Sequence, residues 1–332
     1  MRGMLLENQA DLTSKPLRLQ QLPLPEPAAD EVRIKVTVCG ICRTDIHILE
    51  GDLPLVTRPI VPGHQVVGTV HAIGSRVENF RLGDRVGLAW LQRTCRQCEF
   101  CQSGRENLCL KAAFTGYHVH GGFAEYVVAP TAFTYPIPSQ FHDDEAAPLL
   151  CAGIIGYRAL RLSQIQPGQR LGLYGFGASA HIVIQIAQHW GCEVYVCSLD
   201  ERHQALARSM GAVWVGGAMT SPPKSLHSAI IFAPAGELVP PALRALERGG
   251  TLALAGIHMS AIPVIDYDHE LFGERTIRSV TANTKQDGLD LLQEAARIPL
   301  RPQTQAFPLD QANEALLALK TGAIQGAGVL RM

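Results

Sequence analysis

Two sets of residues in this chain of 332 have the types and spacing of metal ligands. The first is compact: Cys95, Cys98, Cys101 and Cys109 form C-x2-C-x2-C-x7-C inside the polar stretch 93–107. Such a stretch has little apolar material to pack. Four thiolates converging from one short loop suit tetrahedral zinc, whose ligation replaces the core that the loop cannot build. Four unconnected thiols are a poorer account, because cysteine is normally buried and seldom clustered in polar sequence. A closed four-thiolate shell leaves no position for substrate, so the site reads as structural.

The second set is scattered. Cys42 lies in Cys39-Gly40-Ile41-Cys42-Arg43-Thr44-Asp45-Ile46-His47, His64 in Pro62-Gly63-His64-Gln65, and Cys151 in Pro148-Leu149-Leu150-Cys151-Ala152-Gly153. Two thiolates and one imidazole give three protein ligands with a fourth position open, the arrangement of catalytic zinc. Spacing alone does not establish it. Cys42 and Cys151 lie among apolar residues and fit ordinary buried thiols, and a lone histidine is more often structural.

A third constellation would handle phosphate. Gly175-Phe176-Gly177-Ala178-Ser179-Ala180 is G-x-G-x-x-A, directly after an apolar strand pattern and at the start of an amphipathic helix pattern. Its glycines permit a tight turn and close backbone approach, and the helix N-terminus offers free N–H groups to a pyrophosphate. The alternative is a glycine turn that merely packs helix on strand. Asp200 falls twenty residues past Ala180, where a carboxylate bonds the adenosine ribose and favours NAD. Ser198 and Arg202 equally accommodate a 2′-phosphate, so NADP stays open beside NAD.

The elements that must carry these residues follow from periodicity. Residues 31–38 alternate, with Val32, Ile34, Val36 and Val38 on one face, and 66–73 and 123–129 are similar runs between Gly-rich turns. This predicts a β-rich, barrel-like first half. From Arg170 onward strand-like and helical runs alternate in the order of a parallel sheet, with strands over 171–174, 193–198, 229–233 and 251–255. Val183, Ile186, Ala187 and Trp190 recur at helical spacing, and Gly191 supplies a stop. Another helix, through Leu243 and Leu246, is expected to end at Gly249-Gly250. Helices over 289–296 and 310–320 and a strand over 329–332 complete the chain, and this tail is expected to return to the first domain.

Composition bounds the function. The chain is nearly half apolar and carries a formal net charge of −1 with its charges interspersed, enough for two cored domains and without the basic footprint that gathers nucleic acid or anionic membranes. Residues 1–12 hold Glu7 and Asp11 and lack a signal-peptide pattern, and no run nears the roughly 18 apolar residues of a spanning helix. With free thiols, this predicts a cytoplasmic protein.

The segments 39–47, 62–68, 95–109, 121–126, 148–153 and 175–180, in this order, resemble the zinc-containing alcohol dehydrogenases of the medium-chain dehydrogenase/reductase superfamily. The resemblance covers essentially the whole chain. It implies an α/β fold: a GroES-like β-barrel catalytic domain from 1–152 and 285–332, with a structural-zinc loop at 93–110, around a doubly wound Rossmann domain at 153–284. It also implies two zinc ions, one held by Cys42, His64 and Cys151 and one by the four clustered cysteines. Thr44 matches the hydroxyl that bonds the substrate oxygen, His47 the imidazole that passes the proton to solvent, Asp45 the carboxylate that orients His64, and Arg43 a pyrophosphate partner. Helix capping for Thr44 and Asp45, and a solvated place for His47, are the competing readings. Trp90 resembles a pocket-lining aromatic of relatives that prefer small alcohols, although it would also serve as core.

The match departs at three places. Gln65 stands where relatives carry Glu, Ile155 where many carry Thr against the nicotinamide, and Ala327 where an Arg often meets the phosphates. The coenzyme-selective position corresponds to Leu199 rather than Asp200. The expected activity is oxidation of a small alcohol or its reverse, with a homodimer or homotetramer as the assembly. An NADPH-dependent aldehyde reductase, and a zinc-stabilised binding or regulatory protein that has lost turnover, are the alternatives.

Overall fold

The computed structural model describes residues 1–332. They form two compact units, one of residues 1–151, 283–296 and 301–332, the other of 152–282 and 297–300.

In the first unit the strand Glu31–Ile41 is the organising element. Val32, Ile34, Val36 and Val38 are all buried, while Lys35 and Thr37 between them are exposed; the predicted alternation holds over 34–38, and the strand runs three residues further through the buried Cys39, Gly40 and Ile41. One edge pairs antiparallel with Gln65–Ile73, which continues through Arg85–Leu88 to Thr134–Pro136. The other edge is shared: Tyr126–Pro130 takes residues 31–35, and Ala327–Arg331 takes residues 38–41. Thr304–Pro308 pairs parallel to Ala327–Arg331 at the margin. The tail thus returns to the first sheet, and Leu330 joins Val32, Ile34, Val66, Val86 and Phe123 in one core. Each such side chain contributes about 1.5–3 kcal/mol on burial.

Gly63 shows how tightly this unit holds its loops. Its φ is +93°, and a Cβ there would lie 2.3 Å from Phe123 Cδ1 and 2.9 Å from Cys39 Sγ. Both the backbone conformation and the space exclude a side chain. Gly63→Ala is therefore expected to cost about 2–4 kcal/mol, read as a lower denaturant midpoint at unchanged slope. An unchanged midpoint would mean that the loop before His64 is slack.

The second unit is a sheet of six parallel strands in the spatial order Trp214–Gly216, Glu193–Cys197, Arg170–Tyr174, Leu226–Ile231, Leu246–Leu254 and Thr276–Ser279. Chain order reverses on either side of Arg170–Tyr174, which makes its carboxyl end a topological switch point. The four inner strands were foreseen as apolar runs. The two edge strands were not, because Trp214–Gly216 has three half-buried residues and Thr276–Ser279 is mostly exposed. The helix through Leu243 stops at Ala245, and Leu246 opens a strand instead. Leu243 and Leu246 are buried in the same core, so their helical spacing misled. The Arg275 guanidinium holds the Leu246 carbonyl at 3.0 and 3.2 Å, which turns that peptide away from the helix. No helix is long and apolar enough to cross a membrane.

Candidate metal centres and dinucleotide site

Cys42 follows the Glu31–Ile41 strand and caps the helix Arg43–Glu50. His64 sits between the Gly63 turn and the strand Gln65–Ile73, and Cys151 lies on the one-turn π-helix Leu149–Gly153. Cys42 Sγ is 3.3 Å from His64 Nε2 and 3.9 Å from Cys151 Sγ, and all three ligand atoms lie within 4.8 Å of one another. Tetrahedral zinc spaces thiolate and imidazole ligands roughly 3.4–3.8 Å apart, so the three residues fit it and leave one vertex open.

The surroundings fix the imidazole for this task. Asp45 is fully buried; its Oδ2 accepts the Cys42 N–H at 2.8 Å, while Oδ1 lies 3.3 Å from His64 Nδ1. A carboxylate facing Nδ1 draws the ring proton to that nitrogen and leaves the Nε2 lone pair for a metal. Capping and ligand orientation are therefore both served by Asp45. Thr44 is buried in the first turn of the same helix. His47, one turn on, is half-buried, and its Nδ1 lies 2.7 Å from Asp52 Oδ2. Sequence reasoning had no signal for Asp52.

Without metal, this centre stores protons. Burial pushes His64 down, but the Asp45 carboxylate and the Cys42 sulfur outweigh it and raise the imidazole to about 10. The hydrogen bond with Cys151, with burial adding to it, pushes the Cys42 thiol well above its ordinary range. Because the folded value of His64 exceeds its ordinary 6.5, its protonation stabilises the metal-free fold fully below that pH, and the contribution is lost as pH rises through about 10. Zinc must displace these protons. Titrating metal-free protein with zinc in weak buffer is expected to acidify the solution, and affinity should climb between about pH 6 and 8. Uptake that is independent of pH would contradict this protonation pattern.

The four clustered cysteines converge equally well, with all Sγ atoms within 4.8 Å of one another. Cys98 and Cys101 are 3.5 Å apart, and the backbone N–H groups of Cys98 and Cys95 donate to Cys95 Sγ and Cys109 Sγ. Hydrogen bonds from the Gln97 and Cys98 backbone pull the Cys95 thiol down to about 6, poising it as a thiolate. Two contacts moor the loop to the rest of its unit. Arg93 pairs with the buried Glu31, and Glu106 Oε1 accepts the Lys285 N–H at 2.7 Å at the start of the helix Lys285–Arg297.

Trp90 stands beside the open centre, its ring edge-on to His64 at 4.9 Å. It is stacked on Phe114 at 4.9 Å and on Tyr117 at 6.0 Å. Phe114 and Tyr117 extend this aromatic wall and were missed in the sequence, where they sit in no periodic pattern.

In the second unit, Gly175 follows the Arg170–Tyr174 strand with φ +87°, and Gly177 caps the helix Ala178–His189. A Cβ on Gly177 would meet nothing within 4 Å, so its backbone is open to a ligand. Phe176 and Ala180 are buried anchors on either side, and Ser179 lies in the first turn. Arg43 is exposed at the start of its helix in the first unit. Asp200 caps the helix Glu201–Ser209, and Arg202 folds back onto it.

The departures from the resemblance are also visible. Gln65 is buried with its amide nitrogen unpartnered, its oxygen near the space over Gly40. Ile155 is half-buried in the helix Ile154–Leu162, and Ala327 is buried in a strand, where its methyl carries no donor for a phosphate.

Comparison with known proteins gives a consistent result. Residues 28–139 match the alcohol dehydrogenase GroES-like domain, and residues 180–297 match the zinc-binding dehydrogenase family. The probable alcohol dehydrogenase AdhA of Mycobacterium tuberculosis (strain CDC 1551 / Oshkosh) is 48% identical over 320 residues, covering 95% of this chain and 92% of that protein. An alcohol dehydrogenase of Geobacillus stearothermophilus is 34% identical over 327 residues, 96% of each chain. Among solved structures, a cinnamyl alcohol dehydrogenase (SbCAD4) of Sorghum bicolor superposes with a TM-score of 0.90 at 28% identity, over 99% of this chain and 97% of that one. An NAD-dependent alcohol dehydrogenase superposes with a TM-score of 0.89 at 26% identity over the whole of both chains.

Proposed function

This chain belongs to the zinc-containing alcohol dehydrogenase family of the medium-chain dehydrogenase/reductase superfamily, and from that premise we propose that it interconverts a small alcohol and its aldehyde or ketone at Cys42, His64 and Cys151. It is an oxidoreductase acting on CH–OH groups, with two zinc sites and NAD or NADP as coenzyme. The observation that carries the proposal is the convergence of three ligands from distant segments with a fourth vertex open.

Zinc held by these three residues would supply a Lewis acid to an alcohol oxygen at the open vertex, and a bound dinucleotide would supply the hydride acceptor. The chain's own residues do the rest. Cys42, His64 and Cys151 hold the metal, and Asp45 keeps His64 in the ligating tautomer. The Thr44 hydroxyl bonds the substrate oxygen and relays its proton, giving up its own as it accepts that one, and the half-buried His47 passes the proton to solvent, with Asp52 beside its Nδ1. The loop from Gly175 to Ala180 holds the pyrophosphate at its helix N-terminus, and Trp90 bounds the substrate. Residues 1–152 and 285–332 serve as the catalytic domain and 153–284 as the dinucleotide-binding one. A dimer or tetramer and a cytoplasmic location belong to the same proposal, the latter supported by nine cysteines that form no disulfide.

A panel of small alcohols and aldehydes, assayed with each coenzyme, tests this directly. Within it, His47→Gln is expected to slow alcohol oxidation about tenfold to a hundredfold near neutral pH, with partial rescue by small imidazole buffers. Wild-type turnover with an unaffected His47→Gln variant would remove His47 from the proton path. An inert wild type across the panel would sink the dehydrogenase reading.

A further inference from the structure

We propose that this enzyme takes NADP(H) in preference to NAD(H), with Arg202 pairing the 2′-phosphate beside Ser198 and Leu199. The inference rests on reading the second unit as the dinucleotide-binding one.

In a doubly wound sheet the carboxyl end of the second strand meets the adenosine ribose. A carboxylate there accepts from the ribose hydroxyls and repels a 2′-phosphate, whereas a nearby Arg welcomes one. In this chain that strand is Glu193–Cys197. The next residue, Ser198, is neutral and buried, its backbone N–H donating to the Gly216 carbonyl at 3.1 Å. Leu199 follows, 83% exposed and also neutral. Neither can repel a phosphate.

Asp200 is the first carboxylate past the strand, and both its oxygens are already engaged. Oδ1 accepts the backbone N–H groups of Arg202 at 2.8 Å and His203 at 3.4 Å and also lies 3.3 Å from Arg202 Nε. Oδ2 accepts from Arg202 Nη2 at 2.9 Å. The carboxylate faces into the start of its helix with its charge matched by the guanidinium. Turning it toward a ribose would uncap the helix. The sequence argument for NAD from Asp200 therefore loses its footing, since a group spent on capping is not spent on sugar.

Arg202, by contrast, is poised to be shared. Its side chain is 63% exposed, and an ion pair so open to solvent is weak. A phosphate offers more negative charge than Asp200 and presents paired oxygens to a planar fork. The guanidinium keeps its carboxylate partner or yields it at little cost. Glu201, the acidic residue of the first helical turn, is exposed.

Calorimetry on the zinc-loaded protein tests this apart from turnover, using adenosine 2′,5′-bisphosphate and adenosine 5′-monophosphate, which differ only in the 2′-phosphate. The bisphosphate is expected to bind about tenfold to a hundredfold tighter. Arg202→Ala should erase that preference, Arg202→Lys retain part of it, and Ser198→Asp reverse it. Equal binding of the two probes by the wild type, or a preference that survives Arg202→Ala, overturns the proposal. Preference for the bisphosphate without turnover on any alcohol defeats the dehydrogenase reading and leaves this one standing. Turnover with NAD and no such preference does the opposite.

Discussion

Cys42→Ser is expected to yield a folded protein that holds one zinc where the wild type holds two, and that has lost at least about a thousandfold in alcohol oxidation. Several arguments converge on that size. Cys42 is the residue common to both close ligand contacts, 3.3 Å to His64 and 3.9 Å to Cys151. A serine oxygen is a hard, poorly acidic ligand with a shorter reach, so zinc loses one of only three protein bonds. Lewis-acid assistance worth several kcal/mol goes with it, and each 1.36 kcal/mol is about tenfold in rate. The fold should survive, because the backbone N–H of residue 42 still donates to Asp45 and the core around it is untouched. Metal analysis, circular dichroism and initial rates read the three parts separately. A variant that kept both zinc ions and its turnover would show that the reaction does not use this centre.

Cys98→Ser should act on stability instead. The loop around Cys95, Cys98, Cys101 and Cys109 has almost no buried side chains of its own, so its order comes from the metal. Losing that metal should also loosen Glu106 from the helix Lys285–Arg297 and Arg93 from Glu31. A loss of roughly 3–5 kcal/mol, spread over a unit of this size, corresponds to a fall in Tm of about 10 °C. The open centre should keep its own zinc. Scanning calorimetry with metal analysis checks this, and an unchanged Tm in a protein that has lost one zinc would mean that the loop is ordered by its protein contacts alone.

The residues that do chemistry were legible in the sequence for a particular reason: thiolates, imidazole and glycine have few structural substitutes, so their spacing survives as a signal. The four-cysteine loop could be read from spacing alone. The open centre could not, because Cys42, His64 and Cys151 come from three separate segments, and only the likeness to a family joined them. The inner strands of the parallel sheet, and Glu31–Ile41 and Gln65–Ile73 of the first sheet, were visible as apolar runs, whereas the short inner strand Arg85–Leu88 was not. The edge strand Thr276–Ser279 lacked one, and Leu246 carried a helical period into a strand because tertiary burial sets its environment. Asp200 was placed correctly along the chain, but its oxygens were committed to the helix start by contacts that spacing does not encode. The neighbours of functional groups, Asp52 beside His47 and Phe114 and Tyr117 around Trp90, lay outside any pattern.

The shared edge of Glu31–Ile41 has a bearing on biogenesis. Cys39, Gly40 and Ile41 pair with Leu330, Val329 and Gly328, which leave the ribosome long after them. A nascent chain therefore carries its first thiol ligand on a half-zipped ribbon until late translation, and such long-range closure is slow. Closure of the sheet edge just before Cys42 is thus a late event in the life of each molecule, whereas the cysteine loop, whose ligands are neighbours, needs no such closure to gather its ion.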